Sequence, residues 1–170
     1  MAQTQSNLSQ MADSKANILI SVNSIILSII VSQLLPKLNQ NPNLQIPVVL
    51  IVMVCVIVIV FAILATRPNV TSGKFTKEDI EQKKTNLLFF GNFHKMNMHD
   101  YDWAMTELLK DRDYLYGSII KDTYFLGVVL ARKYRFLRIA YNIFMFGLIL
   151  AIVAFTLAFV LPQQEIYSAG

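Results

Sequence analysis

Three long apolar runs mark the chain: residues 16–35, 46–66 and 139–161. As helices, each is long enough to cross the roughly 30 Å hydrocarbon core of a bilayer, so the pattern predicts three transmembrane helices. The runs differ in where their polar residues fall. In the first, Asn17, Ser21, Ser24, Ser28 and Ser32 recur at helical spacing within a stripe roughly 80° wide. Asp13 and Ser14 extend that stripe by one turn, while Ile18, Leu19, Val22, Ile25, Ile26, Ile29, Ile30 and Val31 take the other faces. Lipid cannot satisfy hydroxyl or amide groups, so the stripe faces another helix or water. The second run is almost unbroken Val, Ile, Leu, Met and Phe, and without a polar face it is placed most simply on the lipid side. The third carries a small-residue face, Gly147, Ala151, Ala154 and Ala158, which is a natural partner for the serines because small residues let backbones approach. Packing against that face and lining a water-filled path formed by several copies both remain open. Both hold if the stripe is buried at rest and wetted on activation.

The segments between the runs divide the chain further. Residues 1–15 are a polar N-terminus, helical or frayed. Residues 36–45, with Pro36 and Asn41-Pro42-Asn43, form a turn-rich loop. Residues 67–138 form a helical domain, and residues 162–170 a short tail. Within the domain, Thr76-Lys77-Glu78-Asp79 reads as the capped start of a short helix to about Lys84. Asn86 to Met96 is the densest aromatic patch, and Asp100 is placed as the cap of a helix through Tyr101, Met105, Leu108 and Leu109. From about Asp113 no proline interrupts the chain before Pro162. Tyr116, Ile120, Thr123, Gly127, Leu130, Tyr134, Leu137, Tyr141 and Phe144 recur at four- and three-residue steps, the seam of one helix continuing into the third span. Such a helix is about 72 Å long, so roughly 40 Å of it projects beyond the bilayer. Gly117 and Gly127 permit close packing along it. The fold class expected is an all-α membrane protein: three transmembrane helices, a helical cytoplasmic domain between spans two and three, and a last helix running unbroken from cytoplasm into membrane.

Composition supports this reading, with 55% hydrophobic and only 15% charged residues. The single cysteine, Cys55, lies inside the second run, which excludes a disulfide framework and a cysteine-based metal site. A cleaved signal peptide is not expected, because the first run is long, serine-rich and lacks a small-x-small exit. Loop charge sets the orientation. The 36–45 loop has only Lys37, whereas residues 67–138 hold 13 Lys/Arg against 9 Asp/Glu, with Arg67, Arg132, Lys133, Arg135 and Arg138 close to the membrane. Basic loops stay inside, so the N-terminus and the domain are expected in the cytoplasm and the C-terminal tail outside.

Candidate chemistry is sparse. His94 and His99 with Asp100 and Asp102 lack the paired spacing of a metal site, and no phosphate loop or catalytic triad can be assembled. No enzyme activity, metal, cofactor or nucleic-acid partner is expected. Asn92, His94 and Lys95 offer donors suited to a phosphate, and Phe93 offers a ring for stacking or core packing. They are the candidate ligand contacts.

Asp13-Ser14-Lys15-Ala16-Asn17 opening the first span, Phe89 through Met96, Asp122-Thr123-Tyr124-Phe125-Leu126-Gly127 and Lys133-Tyr134-Arg135-Phe136-Leu137-Arg138 together resemble the Pycsar effector family. These are small transmembrane effectors of bacterial cyclic-pyrimidine antiphage signalling, and the resemblance covers about residues 10–160. It implies activation by cCMP or cUMP made by a partner pyrimidine nucleotide cyclase, assembly as a homo-oligomer in the inner membrane, loss of membrane integrity and growth arrest. The HD phosphohydrolase domain that some relatives carry has no room here. Composition and periodicity alone fit equally a scaffold protein that docks a cytoplasmic partner through its helical domain.

Overall fold

The computed structural model describes residues 2–67, 86–88, 93 and 96–160. Among these it has four α-helices and no strand: α1 (Ala2–Ile29), α2 (Gln45–Thr66), α3 (Met98–Lys110) and α4 (Arg112–Val160). Three helical stretches, Gln3–Lys37, Pro42–Thr66 and Arg112–Val160, are long and apolar enough to cross a membrane. The all-α fold with three membrane-length helices is therefore as the apolar runs predict. The expected helix at residues 76–84 lies outside the described residues.

The chain divides into two compact units, Met1–Ser9 with Pro68–Arg132 and Gln10–Arg67 with Lys133–Gly170. The second, the membrane unit, is built on α2. Its positions Val48, Ile51, Cys55, Val58, Ala62 and Ala65 are buried, repeating at three- and four-residue steps along one face. One cluster joins Val58, Ala62 and Ala65 to Ala12, Ala16 and Leu19 of α1 and to Leu137 and Ala140 of α4. A second joins Val48, Ile51 and Cys55 to Ile30 and Ala151. Low-numbered residues of α1 meet high-numbered residues of α2, so the two helices run antiparallel. The second span is thus the seam of the bundle, not its lipid-side member. An unbroken Val/Ile/Leu composition hides which face packs, and only Cys55, Ala62 and Ala65 betray it through their size.

Pro36 ends the first span. It has no N–H to give the carbonyl four residues back, and its ring crowds that carbonyl, so the α ladder cannot continue. The chain widens instead into a π turn over Ile30–Leu34, closed by the Leu35 N–H on the Ile30 carbonyl. Short 3-10 turns at Leu35–Lys37 and Pro42–Leu44 then lead into α2.

The other unit, the helical unit, has a small core of Leu87, Ala104, Leu108 and Tyr114, with Leu88, Met96, Trp103, Met105 and Leu115 packed around it. Its helix α3 is capped by Asn97, not Asp100. The Asn97 side-chain oxygen accepts from the Asp100 N–H at 2.8 Å, and the Asn97 amide donates to the Asp100 carboxylate at 2.8 Å. Asp100 is thus the third helical residue of a reciprocal cap, which satisfies an otherwise orphaned N–H. A single residue, Asp111, separates α3 from α4, and its carboxylate accepts from the Tyr114 N–H at 3.0 Å. The N-terminal residues are helical, and Gln5 donates to the Thr123 carbonyl at 3.2 Å.

Helix α4 is unbroken over 49 residues, as the absence of proline predicts. The seam expected along it holds for only part of its length. Leu137 is buried, but Tyr116 and Ile120 are 58% and 69% exposed, and Tyr114 and Ser118 face the core in their place. A strict seven-residue seam drifts about 20° per heptad on a straight helix, so three heptads move it off the packed face.

Candidate functional sites

The serine stripe emerges from the geometry of α1. The helix packs through Ala12, Ala16, Leu19, Asn23 and Ile30, all buried. Asn17, Ser21, Ser24, Ser28 and Ser32 lie on the opposite side and are exposed within the single chain. The expected pairing with the small-residue face of the third span does not form. A Cβ built on Gly147 would stand 2.5 Å from a Val54 methyl, so Gly147 lies against α2, and Ala151 is buried in the α2 cluster. The small residues admit the branched side chains of α2, and the serine stripe points away from the bundle.

Spacing alone places Asp13 on that stripe. Its carboxylate instead accepts from Lys133 Nζ, 2.8 Å to each oxygen, with the lysine only 17% exposed. The pair ties α1 to α4 within the membrane unit. Lys133 therefore does more than mark a basic boundary, since a half-buried, two-point charge-assisted contact holds two spans in register. Nearby, Phe136 packs on Phe61 with ring centroids 6.4 Å apart.

Asn23, which the serine periodicity obscured, is fully buried on the packed face of α1. Its amide donates to the Leu19 carbonyl at 2.8 Å, and its side-chain oxygen has no partner. The signal that could have found it is the step pattern Leu19, Asn23, Ile30, which sets it about 140° from the serines at 100° per residue.

In the helical unit, Asn92, His94 and Lys95 lie outside the described residues. Phe93 is described: its ring packs on Tyr101, centroids 5.0 Å apart. His99 is exposed on α3, its Nδ1 3.7 Å from Asp100. Two buried polar residues, Asn86 and Ser118, were not singled out by the sequence pattern. The Asn86 side-chain oxygen accepts from the Leu88 N–H at 3.1 Å, pinning the turn that leads toward the aromatic patch. Its side chain also lies beside Asp122 on α4. Burial pushes the Asp122 carboxyl above the usual aspartate range, and the Asn86 contact draws it part of the way back. Asn86 thus closes the turn before Phe93 and stands near Asp122 of α4.

These features suit a membrane protein with an outward polar row on one span and a separately folded helical unit. No curated protein and no solved structure matches the chain. Over residues 1–160, however, it matches the family model described as the Pycsar effector protein domain, PycTM, and the protein belongs to that family of antiphage membrane effectors.

Proposed function

We propose that the protein is a ligand-gated membrane effector. A cyclic pyrimidine mononucleotide, cCMP or cUMP, made by a partner pyrimidine nucleotide cyclase, is bound by the helical unit on the cytoplasmic side. Copies of the chain then associate in the inner membrane and breach it, which arrests growth. The protein performs no catalysis and needs no cofactor. The N-terminus and residues 67–138 are cytoplasmic and the C-terminus is outside, following the basic loop.

The observation that carries this reading is the exposed row Asn17, Ser21, Ser24, Ser28 and Ser32 on a helix whose opposite face is packed. A serine hydroxyl can donate to its own helix, as Ser32 does to the Ile29 carbonyl at 3.3 Å, yet its oxygen still seeks a donor. Hydrocarbon supplies none. A second copy or water does, and an assembly of copies supplies both. For the ligand, Lys95 and His94 provide cationic or N–H donors for a monoanionic phosphate, Asn92 a base or ribose contact, and Phe93 a ring already braced by Tyr101.

Dye release from liposomes carrying the protein, titrated with cCMP and with cUMP, tests this. Release driven by one pyrimidine nucleotide and not by its purine counterparts is the expected result. Silence with both nucleotides overturns it and leaves the scaffold role.

A further inference from the structure

We propose that Asn23 sets how readily the membrane bundle leaves its resting arrangement, by holding there a hydrogen-bond acceptor that only an activated arrangement satisfies. The proposal rests on the ligand-gated reading above for its functional consequence. Its physical basis is independent of it.

Asn23 is the one buried polar residue of the membrane unit among the described residues. Leu19 on one side of it belongs to the cluster with Val58, Ala62 and Ala65, and Ile30 on the other to the cluster with Val48, Ile51 and Cys55. Asn23 therefore lies between two apolar layers, level with the α2 turn that joins Cys55 to Val58. The only side-chain donor on that turn is the Cys55 thiol, a weak one, and it makes no bond to the amide. The orientation of the amide is settled by its own helix: Nδ2 donates to the Leu19 carbonyl at 2.8 Å, where an oxygen would be repelled. What remains unmet is therefore the acceptor, Oδ1.

In a soluble core, a trapped water would fill that role. In this bundle, with apolar layers on both sides and no protein donor in reach, the acceptor raises the free energy of the resting packing alone. Any rearrangement that separates α1 from α2 enough to admit water, or brings a hydroxyl from another span, satisfies Oδ1 and is favoured by the same amount. A polar residue on the lipid face would not act this way, because it would be equally unmet before and after. Asn23 thus biases the bundle toward opening, and the packed alanines and the Asp13–Lys133 pair hold it shut. The nucleotide need supply only the remainder.

The test uses Asn23→Leu, which keeps the branched shape and removes the acceptor, and Asn23→Ala, which removes acceptor and bulk. Both are made in the full chain and reconstituted in liposomes. Asn23→Leu should raise the nucleotide concentration for half-maximal dye release about tenfold or more, and Asn23→Ala should raise it less. Thermal unfolding in detergent should move upward for Asn23→Leu. If Asn23→Ala lowers the threshold while Asn23→Leu raises it, Asn23 acts through packing and the proposal is overturned. An unchanged threshold, or a fall in thermal stability with Asn23→Leu, overturns it as well. Wild-type protein that releases no dye with either nucleotide disposes of the ligand-gated reading instead. In that case the thermal shift still decides whether the buried acceptor destabilises the resting bundle.

Discussion

The membrane unit and the helical unit use polar side chains in opposite ways. In the helical unit, polar groups complete the backbone where helices start and turn. Asn97, held by the Asp100 carboxylate, caps α3, Asp111 caps α4, and Asn86 closes the turn at Leu88. Each satisfies an N–H that the end of a helix or a turn leaves without a ladder partner. In the membrane unit the long helices satisfy their own backbone, small residues such as Ala16, Ala62 and Ala140 set the packing distance, and large residues such as Ile18, Ile25 and Phe146 point outward. Folding there needs almost no polar side chain. Those that the helix backbones do not account for, the Asp13–Lys133 pair, Asn23 and the serine row, therefore carry more functional information than any comparable group in the helical unit.

The sharpest way to break this contrast is to remove the row. Ser24→Leu combined with Ser28→Leu makes the first span more apolar and leaves insertion intact. It should abolish nucleotide-driven dye release, since bulk blocks both close helix packing and a wetted lining. Ser24→Ala with Ser28→Ala separates the two roles. Helix packing tolerates alanine, keeping release within about threefold, whereas a water lining loses its hydroxyls and passes less current per channel event. Full release by the leucine pair would remove the row from the mechanism.

A structural test of the membrane unit comes next in size. A Cβ on Gly147 would stand 2.5 Å and 2.7 Å from the two methyls of Val54, inside any real contact distance. Gly147→Ala should therefore lower stability in detergent by about 1–3 kcal/mol, the usual range for overpacking. Val54→Ala introduced together with it should recover part of the loss, so that the two changes are clearly non-additive. Additive losses would show that the third span does not meet α2 at Gly147.

How much of this was legible follows from the same contrast. The spans and the unbroken α4 were readable because hydrophobic length and the absence of proline are properties of a whole segment. The direction the serine row faces was not, because a stripe gives its own angle and not its partner's. The packed face of α2 was hidden for a related reason: where every residue is apolar, periodicity carries no signal, and only the sizes of Cys55, Ala62 and Ala65 do. Asp13 fell on the stripe by angle alone, while its partner Lys133 lies 120 positions away, a long-range pairing that local spacing cannot report. Residue type alone makes Asp100 a cap, although Asn97 three positions earlier has the better geometry for it. At the candidate ligand patch, Phe93 is placed against Tyr101, while Asn92, His94 and Lys95 rest on their residue chemistry.

The smallest predicted effect concerns the helical unit, whose polar groups are assigned structural work. Asp122 sits on α4 ahead of the apolar stretch that begins at Ile139, beside Asn86. Burial raises its carboxyl above the ordinary aspartate value of about 3.9, and the neighbouring Asn86 amide only partly offsets this. The folded state therefore holds the proton more tightly than the unfolded state. Between the ordinary value and the raised one, the fold binds the extra proton, so stability falls as pH rises through that window and levels off above it. Asp122→Asn removes the charge and keeps a polar side chain of nearly the same size beside Asn86. Thermal melts of the full chain in detergent, taken from about pH 4 to pH 7, should show a shallower decline for Asp122→Asn than for wild type, with stability at neutral pH equal or slightly higher. A loss of stability at neutral pH would mean that the carboxylate charge itself is needed. Asp122 would then join Asp13 as a charged tie, and the division between the two units would be less complete than their hydrogen bonds indicate.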